Sequence, residues 1–178
     1  MIRAFKSIAP AVHDTAYVDP SAQVIGDVVI GEESSLWLNV VVRGDVNAIR
    51  LGARSNLQDG VVVHVNRVPS HPTIVGDDVT VGHGAILHGC TIEDRCLIGM
   101  GAILLNGVRL GHDSIVAAGA LITERSDIPP RSLVMGSPAR VKRPLTDDEV
   151  AGILAGARSY VRYRLDYMGP EGHGSNAG

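Results

Sequence analysis

Three histidines set the chemical question. His83 and His88 stand five residues apart in "VGHGAILHGCTI", and His64 lies upstream in "QDGVVVHV". Neutral imidazole is the commonest protein ligand for divalent transition metals. Three imidazoles around one ion leave a coordination position open for solvent or substrate. The same side chains could instead be ordinary polar residues on a β surface. His13, His71, His112 and His173 lack a comparable setting and are read as solvated.

The elements that must position these residues emerge from a repeat. From Thr91 the chain divides into sixes: TIEDRC, LIGMGA, ILLNGV, RLGHDS, IVAAGA. The second position of each is aliphatic: Ile92, Ile98, Leu104, Leu110 and Val116. The same frame runs upstream through Val24, Ile30, Leu36 and Val42, then Leu51, Leu57 and Val63, then Val75, Val81 and Leu87. Each six is read as a short strand pointing one aliphatic residue inward, followed by small or polar residues that turn a corner. Three such strands make a triangular coil of about 18 residues, and coils stack at roughly 4.8 Å.

This pattern predicts an all-β solenoid and resembles the left-handed parallel β-helix of hexapeptide-repeat proteins, an exception to the right-handed crossover rule. With its leading and exit segments it is expected to span residues 1–145. Thr146 to Glu149 reads as a capping box, opening a C-terminal α-helix over 146–168. Its apolar stripe of Val150, Ile153, Leu154, Ala157 and Val161 would lie against the outside of the solenoid. Residues 169–178, "GPEGHGSNAG", are expected to be disordered.

Composition narrows the function classes. Hydrophobic residues make up 45% of the 178, but aromatics only 3%, so the core must be aliphatic. A net charge of −3 without a basic run gives no footprint for nucleic acid. No apolar stretch approaches membrane-spanning length and the first residues lack the apolar stretch of a secretory signal, so a cytoplasmic location is expected. Cys90 and Cys96 suggest no disulfide framework, and Cys96 is read as a compact apolar filler.

The frame then locates the histidines. His64 and His88 each follow an inward aliphatic residue, Val63 and Leu87, and should point outward. They are 24 residues apart, one coil plus six, and the loop "NRVPSHPT" absorbs the excess. Arg43 occupies the same position after Val42, provided that about three extra residues near Asn47 to Arg50 are accommodated. Arg43, His64 and His88 therefore form a column on one face. His83 sits near a corner, one face earlier, and cannot join the column within its own chain without a bend. Ligand nitrogens around a tetrahedral zinc lie roughly 3.4 Å apart, a separation that side chains on adjacent coils can reach. A neighbouring subunit could provide a third ligand. On the frame alone, a metal centre and a solvated surface both remain open.

Three segments taken together, "VVRGDVNAIRLGARSNLQDGVVVH", "TVGHGAILHGC" and "LIGMGAILLNGV", closely resemble the gamma-class carbonic anhydrases and their gamma-carbonic-anhydrase-like relatives. The resemblance implies a homotrimer in which His64 and His88 of one subunit and His83 of its neighbour bind Zn²⁺, with Fe²⁺ or Co²⁺ as alternatives. It implies reversible hydration of CO₂ to bicarbonate by a zinc-bound hydroxide. Arg43 and Asp45 match the family's Arg–Asp pair beside the site. Gln58 matches the residue that hydrogen-bonds metal-bound solvent, and Asp59 its companion, expected to hold Arg43. The archaeal type carries proton-shuttle glutamates where this chain has Val46 and Arg67. The chain shares that absence with a shorter subclass, in which a helix tyrosine approaches the metal; Tyr160 is the matching position. Asn106 lies just above the histidine column, where it could touch the pocket or satisfy a corner.

Two other function classes compete. Many hexapeptide β-helices are CoA-dependent acyltransferases using one histidine as a base without metal, and a metal-dependent thioesterase is a related variant. A non-catalytic trimeric metal-binding scaffold is the third reading, since fold alone does not establish activity.

Overall fold

The computed structural model describes residues 1–67 and 70–169; the expectation of a disordered tail over 169–178, and the reading of His173, fall almost wholly outside them. The chain winds as a parallel, left-handed β-solenoid ending in one helix. One face is an eight-stranded sheet running from Tyr17–Val18 to Ser132–Gly136, closed by the antiparallel strand Ala139–Pro144. The other two faces share a twelve-stranded sheet, because Gln23–Ile30 and Val41–Leu51 bend through a corner and continue on the next face.

The six-residue frame is realised rung by rung. Leu57 pairs with Val81, Val81 with Ile98 and Ile98 with Val116, all in parallel register. Every aliphatic residue of the frame from Val24 to Ile122 is buried, most with no accessible surface. Burying one Leu or Ile side chain contributes roughly 1.5–3 kcal/mol, so a single file of aliphatics stabilises the interior without aromatics. The frame also extends beyond Ile122 to the buried Ile128 and Val134.

Two irregularities shape the site. From Gly44 to Ile49 the outer strand takes five residues where Gly26 to Val28 takes two, so three residues, as the frame requires, are extruded at one corner. The second is the loop after His64, which Asn47 braces by donating from Nδ2 to the Asn66 carbonyl at 3.0 Å.

The corners depart from the small-residue expectation at one edge. There the left-handed backbone position is taken in successive coils by Glu33, Arg54, Asp78, Arg95, Asp113 and Arg131. Such a conformation costs a non-glycine residue roughly 1–2 kcal/mol. Arginine–aspartate pairs stacked between coils offset it: Arg54 Nε donates to Asp78 at 2.9 Å, and Arg95 Nε to Asp113 at 2.7 Å.

The helix, Asp147–Met168, starts with the expected capping box, Thr146 and Glu149 satisfying each other's backbone N–H. At 22 residues it is about 33 Å long. It packs over Tyr17–Val18, Ser35–Leu36 and Thr80–Val81. Its buried residues are Ile153, Ala157, Arg164 and Met168, so the stripe runs past Val161 and includes an arginine. Arg164 satisfies its charge by donating to the Glu33 carboxylate at 3.0 Å and the Glu33 carbonyl at 3.2 Å. No helix among the described residues is long and apolar enough to cross a membrane.

Candidate metal centre

The two ends of one solenoid face carry the predicted residues. His88 closes the strand Ile86–His88 and is in register with His64, which closes Val62–His64. His64 Nδ1 lies 3.2 Å from His88 Nε2. That is close to the ligand–ligand separation around a tetrahedral zinc. The column argument is realised: parallel pairing of Val42 with Val63 sets Arg43 one coil below His64.

Hydrogen bonds extend the column in both directions. Asp45 Oδ1 sits 3.0 Å from His64 Nε2, and its other oxygen binds Arg43. Burial alone would raise the Asp45 carboxyl; the bonds from His64 and Arg43 outweigh it and bring the group below the usual carboxylate range. Above, His88 Nδ1 lies 2.8 Å from Asn106 Oδ1. The Thr73 hydroxyl, fully buried, donates to the His64 carbonyl at 2.7 Å and accepts from Gly89 N at 2.9 Å. It stitches together the chain segments leaving the two histidine strands.

The protons in this column can be counted. A carboxylate oxygen and an amide oxygen only accept, so with both rings neutral these contacts call for the proton on Nε2 of His64 and on Nδ1 of His88. A neutral imidazole has one N–H, so the two nitrogens that face each other at 3.2 Å are both lone pairs. Two facing lone pairs repel unless a cation lies between them. The donor set thus fits a divalent transition ion, the other ring nitrogens being held by outer partners as is usual for metal-ligating histidine.

The opposite end of the face carries the remaining candidates. His83 lies in the turn before Ile86, stacked above the turn at Asp59; Gly84 N donates to the Asp59 carbonyl at 2.9 Å. His83 Nδ1 contacts Asp59 Oδ2 at 2.8 Å, and about half of the His83 side chain, 49%, is exposed. Within one chain, then, Asp59 meets His83 while Arg43 meets Asp45. The expected Asp59–Arg43 contact is not made within one chain, because the two residues stand at opposite edges of the face on adjacent coils. Gln58 is buried, and its Nε2 donates to Asn56 Oδ1 at 3.4 Å. Tyr160 is packed edge-on against Trp37, and burial together with the nearby Asp59 charge raises its hydroxyl above the ordinary tyrosine value.

One chain therefore brings His64 and His88 together and leaves His83 apart. Among the described residues no three metal-binding side chains converge. Cys90 and Cys96 are buried, their thiols pushed up to about 12 by desolvation, as expected of a filler at Cys96. His112 is not free in solvent; its Nδ1 lies 2.6 Å from Asp113.

Sequence reasoning missed Thr73, the acceptor role of Asn106, and an apolar run on the face between the two edges. Val62 and Ile86 are 37% and 38% exposed, and Val41, Ile103 and Leu121 half-buried beside them. The signal was present: these residues immediately precede the inward aliphatic, a position that should point outward.

Comparison with known proteins agrees with this architecture. Residues 72–105 and 89–124 match the hexapeptide repeat of succinyl-transferase. The chain is 51% identical over 156 residues to gamma carbonic anhydrase 1, mitochondrial, of Arabidopsis thaliana, covering 85% of this chain and 57% of that protein. It thus spans little more than half the length of this Arabidopsis relative. A carbonic anhydrase of Geobacillus kaustophilus is 40% identical, with 90% and 87% of the two chains covered. A Bacillus cereus structure carrying an acetyltransferase name superposes with TM-score 0.90 at 40% identity, over 93% of this chain and 95% of its own. With the repeat, the histidine pair and these relatives in agreement, the chain belongs to the gamma-carbonic-anhydrase-like family of hexapeptide-repeat proteins.

Proposed function

We propose that three copies of this chain form a closed ring and catalyse the reversible hydration of CO₂ to bicarbonate at three equivalent sites. Each site would take His64 and His88 from one copy and His83 from the next. The observation that carries this reading is geometric: all three imidazoles have one ring nitrogen against an oxygen acceptor, so that in the neutral form the other nitrogen of each is free to bind an ion. The exposed apolar run between the two edges supports burial against a second copy.

Zn²⁺ suits three neutral nitrogens, with Fe²⁺ or Co²⁺ as alternatives. Bound there, such an ion supplies Lewis acidity that makes water a nucleophile near neutral pH. The chain's own groups would do the rest. Asp45 and Asp59 hold His64 and His83 in orientation, and Arg43 keeps Asp45 ionised. Gln58, buried with its amide nitrogen engaged by Asn56, keeps its amide oxygen available to accept from the attacking solvent. Tyr160, with its hydroxyl kept protonated, can donate to a developing bicarbonate oxygen. Val62 and Ile86 provide an apolar surface for CO₂. Val46 and Arg67 stand where the shuttle glutamates would be, so the released proton must pass to buffer, and turnover should rise with buffer concentration. A cytoplasmic location goes with this reading and is checked by cell fractionation.

The test is metal analysis of anaerobically purified wild type and His88→Ala, each assayed for CO₂ hydration by stopped flow. Metal in the wild type alone, with hydration well above background, is the expected result. Metal-loaded wild type that leaves the background rate unchanged removes the enzyme and leaves a scaffold. Acyl transfer draws support from the acetyltransferase name of the Bacillus cereus structure; tight acetyl-CoA binding by metal-free protein would favour it.

A further inference from the structure

We infer that Asn106, held by Glu124, is a positioning residue that fixes the tautomer of His88 and so decides which of its nitrogens can bind an ion. The inference rests on the metal reading of the histidine pair. His88, Asn106 and Glu124 follow one another at intervals of one 18-residue coil and form a vertical chain of hydrogen bonds. Asn106 Nδ2 donates to Glu124 Oε1 at 3.2 Å. Asn106 Oδ1 lies 2.8 Å from His88 Nδ1.

The direction of this chain is set from its anionic end. A carboxylate only accepts, so Glu124 draws the NH₂ side of the amide towards itself. The amide oxygen is then presented to His88, whose Nδ1 must carry the proton, and Nε2 is left as the lone pair facing His64. With the amide reversed, its NH₂ would face Nδ1. The imidazole proton would move to Nε2, point at His64 Nδ1, and close the gap with an N–H···N bond that occupies both nitrogens. Backbone geometry also makes room for the arrangement. Gly89 has φ +60°, and a Cβ there would stand 2.5 Å from Asn106 Oδ1, so a side chain at 89 would push the amide off His88.

The experiment reads the tautomer directly, from ¹⁵N–¹H imidazole spectra of metal-free protein, and zinc affinity separately by chelator competition. Wild type should show His88 protonated at Nδ1. Asn106→Leu should move the proton to Nε2 and weaken zinc 10–100-fold, the range for loss of such outer partners. The double exchange Asn106→Asp with Glu124→Gln keeps an acceptor on His88 and a donor–acceptor bond above it. It should restore the Nδ1 proton and an affinity within about threefold of wild type. Should Asn106→Leu not fold, Glu124→Ala, a change at an exposed site, should give a mixture of tautomers. An unchanged tautomer in folded Asn106→Leu or Glu124→Ala overturns the inference. If wild type binds no ion at all, the metal reading fails, while the spectra still decide the role of Asn106.

Discussion

The two edges of the histidine-bearing face are built by different means. At one edge, His64 and His88 are anchored by strand register and by a ladder from Asp45 to Glu124, all side chains of the solenoid itself. At the other, His83 and Asp59 stand in turns, Gln58 is buried, and Tyr160 comes from the helix packed against Trp37. The first edge is as rigid as the sheet's hydrogen bonds. The second depends on a helix whose attachment includes a single buried arginine. The lesson is that one chain carries two unlike groups of candidate residues, which the proposed ring would bring together from neighbouring copies.

The largest expected effect tests that division. His83→Ala and His88→Ala should each abolish metal binding, yet trimers co-refolded from equal amounts of both should recover about a quarter of the sites, by random assortment in a closed ring. Recovery of none would place all three ligands in one chain. Next, Arg164→Ala should loosen the second edge alone. Losing a buried, charge-assisted contact costs about 2 kcal/mol, or roughly 4–8 °C in Tm for a chain of this size. The His64–His88 tautomer pattern should survive. Tyr160→Phe should leave metal content unchanged and lower kcat about tenfold, the value of one hydrogen bond at the transition state.

The smallest effect lies away from both edges. Asp113 is held below the usual carboxylate range by its bonds from Arg95 and His112. Since its folded-state value is depressed, its contribution is complete above the unfolded value and disappears as pH falls through the folded one. Asp113→Asn should therefore weaken the wild-type loss of stability between neutral and strongly acidic pH in urea titrations. The partly exposed Arg95 limits the change to about 1 kcal/mol. Metal content should stay as in wild type.

The solenoid was legible because one inward aliphatic per six residues is a local pattern, repeated in every coil. The Arg43–His64–His88 column was legible for the same reason, once the three extruded residues and the loop after His64 were allowed for. The partners of His88 and Asp59 were not. The frame placed Asn106 above the histidine column, but which oxygen reaches which nitrogen depends on rotamers between coils, and nothing in the spacing of Glu124 distinguishes it from other corner residues. Arg164 was hidden for another reason: a charged residue in an apolar stripe is satisfied by a carboxylate 131 positions away.

The burial of Cys90 has a practical side. A thiolate two residues beyond His88 would be a softer and stronger trap for zinc or copper than any imidazole, and an easy target for peroxide. With that sulfur sealed in the aliphatic interior and its thiol held protonated, Cys90 should not compete for an ion at the proposed histidine site, and storage in air without reductant should leave the protein monodisperse.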